Sequence, residues 1–106
     1  MFVVMYRWRL KPGSEPTFRE GWERITRLAS ARCGSLGSAL LTGEDGVWCA
    51  IARWPSREAR EACFAQVLDE HASAKMRDAV LERLPAVEMD MVVDLWHQEG
   101  AFPPGA

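Results

Sequence analysis

Two strand-like segments, residues 35–42 and 47–54, flank the tetrapeptide GEDG at residues 43–46. Glycine and aspartate in a short connection between apolar segments favour a β-hairpin. This hairpin constrains the fold most, because it fixes two antiparallel neighbours in a sheet. Every other element must extend that sheet or cover one of its faces.

The segments around the hairpin show alternating strand and helix patterns. Residues 2–10 predict a first strand, and the breaker KPGSEP leads into a helix with apolar residues at helical spacing. Ser56 is placed to cap a second helix that ends at residue 83 and is kinked near Ser73, and residues 86–97 predict a last strand. The order β-α-β-β-α-β predicts an α+β ferredoxin-like fold: a four-stranded antiparallel sheet with two helices on one face.

Size and charge narrow the class of protein. The 106 residues suffice for one domain, which we assign to residues 1–98, with a C-terminal tail at residues 99–106. The net charge is −2 and no basic stripe is present, so nucleic acid is not an expected partner. The apolar N-terminal stretch is too short to span a membrane and lacks a signal-peptide pattern, which predicts a cytoplasmic protein.

The three cysteines, Cys33, Cys49 and Cys63, are odd in number and match no metal-ligand spacing. We interpret them as buried free thiols in a reducing compartment. No metal site and no bound cofactor are expected. The sequence also lacks a Gly-rich phosphate-binding loop.

Alternation divides each predicted strand into two faces, of which the more apolar is expected under the helices. The side chains assigned to that side are Phe2, Val4, Tyr6, Trp8 and Leu10, then Trp48, Ala50, Ala52 and Trp54, and finally Val87, Met89, Met91, Val93 and Leu95. The other face mixes apolar residues such as Val3 and Met5 with charged ones. Because a monomer would expose that apolar surface, we predict a face-to-face homodimer in which Arg53 pairs with Glu88 or Asp90. The alternative is a monomer with a tolerably polar open face.

The helix side of the sheet has an uneven surface. Trp48 and Trp54 are separated there by only Ala50 and Ala52, so a hollow is expected beneath the helices. The residues predicted to bind a small aromatic molecule in it are Trp8, Trp22, Trp48, Trp54 and Phe64. The alternative is that helix side chains fill the space, because protein interiors are close-packed.

Tyr6 and His71 are the candidate catalytic residues. Histidine titrates near neutral pH and can accept a proton, and a tyrosine hydroxyl can hydrogen-bond a phenolic substrate. The alternatives are an exposed, inert His71 and a Tyr6 hydroxyl that only reaches the rim of the hollow. His97, at the end of the last predicted strand, is interpreted as structural.

Three motifs in this order of elements resemble the antibiotic biosynthesis monooxygenase domain family. They are LKPGSEPTFREGWERI after the first strand, IARWPSREA at the junction of the third strand with the second helix, and VEMDMVVDLW in the last strand. The resemblance implies a dimeric α+β barrel with a ligand site in each subunit between sheet and helices. The family includes cofactor-independent quinone-forming oxygenases, haem-degrading enzymes and members with no established activity.

The chain departs from two branches of that family. Tyr6, Glu70 and Val80 stand where the haem-degrading branch has Asn, Trp and His, and His71 is offset from the expected histidine. The anthrone-oxygenating branch uses Tyr, Trp, Asn and Arg, and this chain has no Asn. The resemblance implies cofactor-independent oxidation of a small electron-rich aromatic, such as a hydroquinone or anthrone, by O2. The alternatives are a non-catalytic binding or stress-response module and a purely structural dimer.

Overall fold

The computed structural model describes residues 1–96. Its elements are β1 (Phe2–Leu10), α1 (Glu15–Cys33), β2 (Ser38–Thr42), β3 (Trp48–Trp54), α2 (Arg57–Phe64), α3 (Glu70–Ala79) and β4 (Val80–Asp90). The strands form one antiparallel sheet in the order β2-β3-β1-β4. The predicted ferredoxin-like fold is therefore confirmed. His97 and the predicted tail lie outside the described residues.

The predicted second helix is two helices, α2 and α3. Ser56 caps the first as predicted, since its Oγ accepts a hydrogen bond from the Ala59 N–H at 3.1 Å. Asp69 caps the second, since its carboxylate accepts a hydrogen bond from the Ala72 N–H at 2.9 Å. The predicted kink near Ser73 is wrong, because the capping aspartate starts a new helix ahead of it.

β4 also begins earlier than predicted. It starts at Val80, directly after α3, and passes through Pro85, which the sequence analysis interpreted as the end of a helix. β4 lies at an edge of the sheet, where a residue without an N–H is tolerated. The prediction of helix up to residue 83 is therefore wrong. β4 ends at Asp90, so the predicted strand up to residue 97 is too long.

A bulge in β4 reverses the predicted faces of this strand. Met5 pairs with Val87, whereas Arg7 pairs with Leu84, so β4 carries one extra residue between these pairs. Because successive side chains alternate, one extra residue exchanges the two faces. Glu88 pairs with Val4, whose side chain is buried under the helices, so Glu88 lies on the helix side of the sheet. The β4 side chains that were wrongly predicted under the helices and lie on the opposite face are Val87 and Met89.

The face without helices, called the open face below, carries a broad apolar surface. Val87 and Met89 of β4 are exposed there, Met5 and Ile51 are half-buried, and Val3 is buried. Arg53 pairs with Asp94 at 3.0 Å, so its predicted partners, Glu88 and Asp90, are wrong. The reason is the pairing of Glu88 with Val4 and of Asp90 with Phe2, which places both carboxylates on the helix side.

The helix side of β1 and β3 has the predicted residues. Val4 and Ala50 are fully buried, and Trp8 packs edge-to-face on the fully buried Phe18 of α1 with ring centroids 4.9 Å apart. Gly21 lets α1 approach α3 closely, because a Cβ at this position would lie 2.6 Å from the Ala72 carbonyl oxygen. No helix within residues 1–96 combines the length and apolarity needed to cross a bilayer.

Cys33 and Cys63 form a disulfide, with their Cα atoms 5.5 Å apart. The prediction of three free thiols is wrong, and only Cys49 is free among the cysteines. Sequence spacing did not indicate the bond, because the fold brings together the last turns of α1 and α2. The disulfide joins these two helices at one end of the layer that covers the sheet.

Candidate active site

A cavity of about 280 Å³ lies between the helix side of the sheet and the three helices. Its size is close to the lower end of known small-molecule sites, and aromatic and aliphatic side chains form most of its wall. Ala52 contributes to its floor, where a larger residue would reduce the space. The sequence predicted a hollow at this place, and its role as a ligand site stays a prediction.

The structure brings most of the predicted site residues together. Those that line the cavity are Tyr6, Trp8, Trp22, Trp54 and Phe64. Trp48 instead lies against Phe18, with ring centroids 6.2 Å apart, and is not part of the cavity wall. His71 is exposed in the first turn of α3 and does not line the cavity either. Its position follows from the new helix start at Asp69, which the sequence analysis did not predict.

Tyr6 is at the centre of an aromatic group on β1 and α2. Its ring lies 6.1 Å from Trp8 and 6.0 Å from Phe64, measured between centroids, with nearly parallel planes. Phe64 also meets Trp54 edge-to-face at 6.0 Å. Such pairs hold ring orientations and leave flat faces available to an aromatic ligand.

Arg60 of α2 is a lining residue that sequence analysis missed. Its Nε donates a hydrogen bond to the Tyr6 hydroxyl at 2.9 Å, and its guanidinium lies 4.8 Å from the centroid of the Phe64 ring. Glu88 accepts a hydrogen bond from the Arg60 Nη1 at 3.3 Å and also pairs with Arg57. The signal was hidden because alternation predicted Glu88 on the open face.

Burial raises the pKa of Tyr6, and the hydrogen bond from Arg60 acts in the opposite direction without cancelling it. The hydroxyl is therefore protonated at neutral pH. Since its oxygen accepts the bond from Arg60, its own hydrogen is available to a ligand. Tyr6 is thus suited to donate a hydrogen bond in the cavity and unsuited to act as a base.

Two further polar atoms of the cavity wall lack partners. The Trp54 indole N–H and the Ser38 hydroxyl are buried, and neither has a hydrogen-bond partner within the described part of the chain. The Trp54 N–H lies near the Tyr6 hydroxyl but without the geometry of a hydrogen bond. An unsatisfied buried polar group costs roughly 1–3 kcal/mol, which a ligand with suitable acceptors would recover.

Among residues 1–96, those that line the cavity include no acidic side chain. Residues 1–96 also hold no cluster of three or more His, Cys, Asp or Glu side chains that could bind a metal ion. The polar residues that line the cavity are therefore serine, threonine, tyrosine, tryptophan and arginine.

The sequence model of the family described as antibiotic biosynthesis monooxygenase matches residues 1–76, which is more than half of the chain. The chain belongs to the antibiotic biosynthesis monooxygenase family. The match includes β1 to α2 and most of α3, and with them the aromatic residues of the cavity. It ends before β4, so the bulge and Glu88 lie outside it.

Solved structures of antibiotic biosynthesis monooxygenases and related proteins share the fold. SnoaB from Streptomyces nogalater, a cofactor-independent oxygenase, is 16% identical, with a TM-score of 0.73 and coverage of 89% of this chain and 95% of SnoaB. Rv0793 from Mycobacterium tuberculosis is 14% identical, with a TM-score of 0.72 and coverage of 90% of this chain and 98% of Rv0793. A putative antibiotic biosynthesis monooxygenase from Caulobacter crescentus is 17% identical, with a TM-score of 0.74 and coverage of 87% and 90%.

The TM-scores of these structures show a common fold. Among curated protein sequences, none matches the chain significantly. The substrate must therefore be inferred from the cavity itself.

Proposed function

We propose that this member of the family oxidises a small electron-rich aromatic, such as a hydroquinone or an anthrone, with O2 and without a bound cofactor. The observation that carries the proposal is the aromatic cavity, in which Tyr6 lies beside Trp8 and Phe64 with a hydroxyl hydrogen free for a substrate oxygen. Family membership supports the reaction class, as does the likeness to the cofactor-independent oxygenase SnoaB.

The reaction needs no external reductant, because the substrate supplies the electrons. An anthrone methylene and O2 yield a ketone and water, so one oxygen atom enters the ring and the other leaves with the two methylene hydrogens. A hydroquinone and O2 likewise yield a hydroxyquinone and water. In both cases the substrate first loses a proton to solvent, and its anion then donates electrons to O2.

The protein's part is to bind and orient the aromatic ring. Trp8, Trp22, Trp54 and Phe64 offer ring faces, and Tyr6 donates a hydrogen bond to a substrate oxygen. Arginine side chains on the wall stabilise an anionic substrate relative to a neutral one. We assign no proton transfer to His71, which is exposed and outside the cavity wall.

One observation favours a second candidate, a non-catalytic binding module. The cavity wall contains no histidine or carboxylate, and the raised pKa of Tyr6 removes it as a base. A protein that only binds aromatics would have this composition. Oxygen consumption separates the two functions.

The test combines binding with oxygen uptake. Titration with 1,4-dihydroxynaphthalene under argon should quench tryptophan fluorescence, and admitting air should give oxygen uptake faster than protein-free autoxidation. Trp22→Phe, on the cavity wall, should weaken binding, whereas Trp48→Phe, outside it, is the matched control. Quenching without faster oxygen uptake would support the binding module. Absence of both would contradict the proposal and its alternative.

The proposed assembly is a homodimer through the open face. On this face Val87 and Met89 are exposed and Met5 is half-buried, and water contact with such apolar side chains is unfavourable. Met89→Glu should shift a dimeric protein to a monomer in gel filtration with light scattering, with the circular dichroism spectrum unchanged. A wild-type monomer across the concentration range would contradict the homodimer.

Cytoplasmic location stays a prediction, and the Cys33–Cys63 disulfide counts against it. Disulfides persist mainly in oxidising compartments. Cell fractionation identifies the compartment that holds the protein. Thiol labelling of the recovered protein then shows whether Cys33 and Cys63 are reduced or bonded.

A further inference from the structure

We propose that the ligand of the cavity carries a carboxylate, which the Arg60 guanidinium and the Trp54 indole N–H bind. The inference rests on the proposed function only in that the cavity holds a small aromatic molecule. It adds a charged group to that molecule and assigns the residues that recognise it.

The first observation is a set of donors without acceptors. The Trp54 side chain is 3% exposed, and its buried N–H has no hydrogen-bond partner among residues 1–96. The Tyr6 hydroxyl, which lies beside it, accepts from Arg60, and its own hydrogen has no acceptor among the described residues. Both groups therefore require an acceptor, and the cavity wall supplies no carboxylate to either.

The second observation is the state of the Arg60 guanidinium. Its Nε and Nη1 are engaged by Tyr6 and Glu88, whereas Nη2 makes no hydrogen bond to the described residues. The side chain is only 17% exposed. A mostly buried guanidinium interacts strongly with an anion, because little water screens the charge.

The third observation is the charge balance around the cavity. Arg57 and Arg60 share the carboxylate of Glu88, and Glu61 and Asp90 also lie near Arg57, but none of these carboxylates belongs to the described residues of the cavity wall. The wall itself includes three arginines, Arg7, Arg60 and Arg83, so the residues that line the cavity carry a net positive charge. An anionic ligand would be attracted to this surface, and a cationic one would be repelled.

A carboxylate fits these groups better than a neutral phenol does. Two carboxylate oxygens can accept from two donors at once, here the Arg60 Nη2 and the Trp54 N–H. A carboxylic acid is ionised throughout the neutral range, whereas a phenol with a pKa of about 10 is not. The phenolic oxygens of the substrate then remain available to Tyr6.

The test compares two probes of the same shape. These are 1,4-dihydroxy-2-naphthoate and its neutral carboxamide, titrated under argon at about pH 6.5, where only the carboxylic acid is ionised. In tryptophan fluorescence titrations the carboxylate should bind at least about tenfold more tightly than the carboxamide. This is the difference expected for a charge-assisted hydrogen bond. Equal affinity for both probes would overturn the inference.

Three substitutions, two on α2 and one on β3, locate the effect. Arg60→Met keeps the aliphatic stem over Phe64 and should reduce the preference for the carboxylate to about onefold to twofold. Arg57 also pairs with Glu88, but it lies outside the cavity wall. Arg57→Met should therefore keep the preference for the carboxylate. Trp54→Phe should reduce it severalfold. A preference that survives in Arg60→Met, with thermal unfolding showing a folded protein, would also overturn the inference.

The outcomes also separate this inference from the proposed function. Equal binding of both probes with oxygen uptake in air would reject the carboxylate and keep the oxygenase. Selective binding of the carboxylate without oxygen uptake would keep the recognition and reject the oxygenase. Binding of neither probe would reject both.

Discussion

α2 and α3 come from one stretch of sequence that predicted a single helix, yet they are attached to the molecule in different ways. α3 lies against α1 with backbone nearly in contact at Gly21, and it buries Ala72 and Ala79. α2 buries only Cys63, and this residue is tied to α1 by the disulfide. The tightly packed helix supports the sheet, and the tethered helix supplies functional groups to the cavity.

The difference matters because α2 carries both Arg60 and Phe64. A helix with one buried residue has little hydrophobic free energy holding it in place. Its position depends on the disulfide and on the ion pairs of Arg57 and Arg60 with Glu88. Changes to these attachments should therefore alter ligand binding as well as stability.

Loss of the disulfide is expected to have the largest effect. Replacement of both Cys33 and Cys63 by serine should lower the free energy of unfolding by about 2–4 kcal/mol, because the bond closes a long loop. It should also weaken ligand binding, since α2 loses its tether. Urea unfolding and fluorescence titration measure the two effects, and Cys49→Ser is the control. Unchanged ligand affinity would show that α2 is held by its other contacts.

Gly21→Ala tests the attachment of α3. Alanine favours a helix more than glycine does, but its Cβ would lie 2.6 Å from the Ala72 carbonyl oxygen. We expect the free energy of unfolding to fall by about 1–3 kcal/mol, because the added Cβ displaces the helix. Urea unfolding measures it, with an alanine at exposed Ser30 as a reference for a helix position without such contact. A stabilised protein would contradict the close approach of the two helices.

Phe64→Ala should separate binding from stability. Phe64 is 58% exposed although it lines the cavity, so its removal should change the free energy of unfolding by less than about 1 kcal/mol. Ligand affinity should fall severalfold, because Tyr6 and Trp54 lose a neighbouring ring. Thermal unfolding and fluorescence titration give the two values. A large loss of stability with unchanged ligand affinity would show that Phe64 stabilises the fold and does not contribute to ligand binding.

The ionisation of Tyr6 gives the smallest and most local signal. Tyr6 is the single tyrosine of the chain, so absorbance near 295 nm reports its hydroxyl alone. Burial raises its pKa in the folded protein, and the titration midpoint should lie above 10.0, falling to the ordinary value in urea. The folded state then holds the proton more tightly than the unfolded state, so this contribution to stability decreases as pH rises through about 10.

The same titration tests the hydrogen bond between α2 and β1. Arg60 lowers the pKa of Tyr6 against the effect of burial. Arg60→Met should therefore move the midpoint further upward. A midpoint that falls, or does not move, would indicate that Arg60 does not contact Tyr6 in solution.

Sequence patterns predicted the regular parts of the molecule well. Alternation placed Val4, Trp8, Ala50 and Trp54 on the helix side of a sheet, because β1 and β3 pair without a register shift. The same alternation located most of the cavity's aromatic wall. These features depend on side-chain periodicity within one strand, which the sequence contains directly.

The features that were wrongly predicted depend on single residues or on partners that are distant in the sequence. Asp69 interrupts a helical pattern that otherwise looks continuous, and the bulge in β4 depends on pairing with β1. Arg60 looked like an ordinary solvated charge, because its partner Glu88 was predicted on the open face. The Cys33–Cys63 bond likewise requires the positions of two helices, which spacing along the chain does not give.

The extra residue in β4 lets this edge strand change its length without changing the surroundings of the cavity. Removing one residue at Ala86 would remove the bulge and keep Met5 opposite Val87 and Arg7 opposite Leu84. Glu88 would then still lie opposite Val4, beside Arg60. An edge strand thus offers evolution a place to gain or lose a residue without repacking the core or moving the charge beside the cavity.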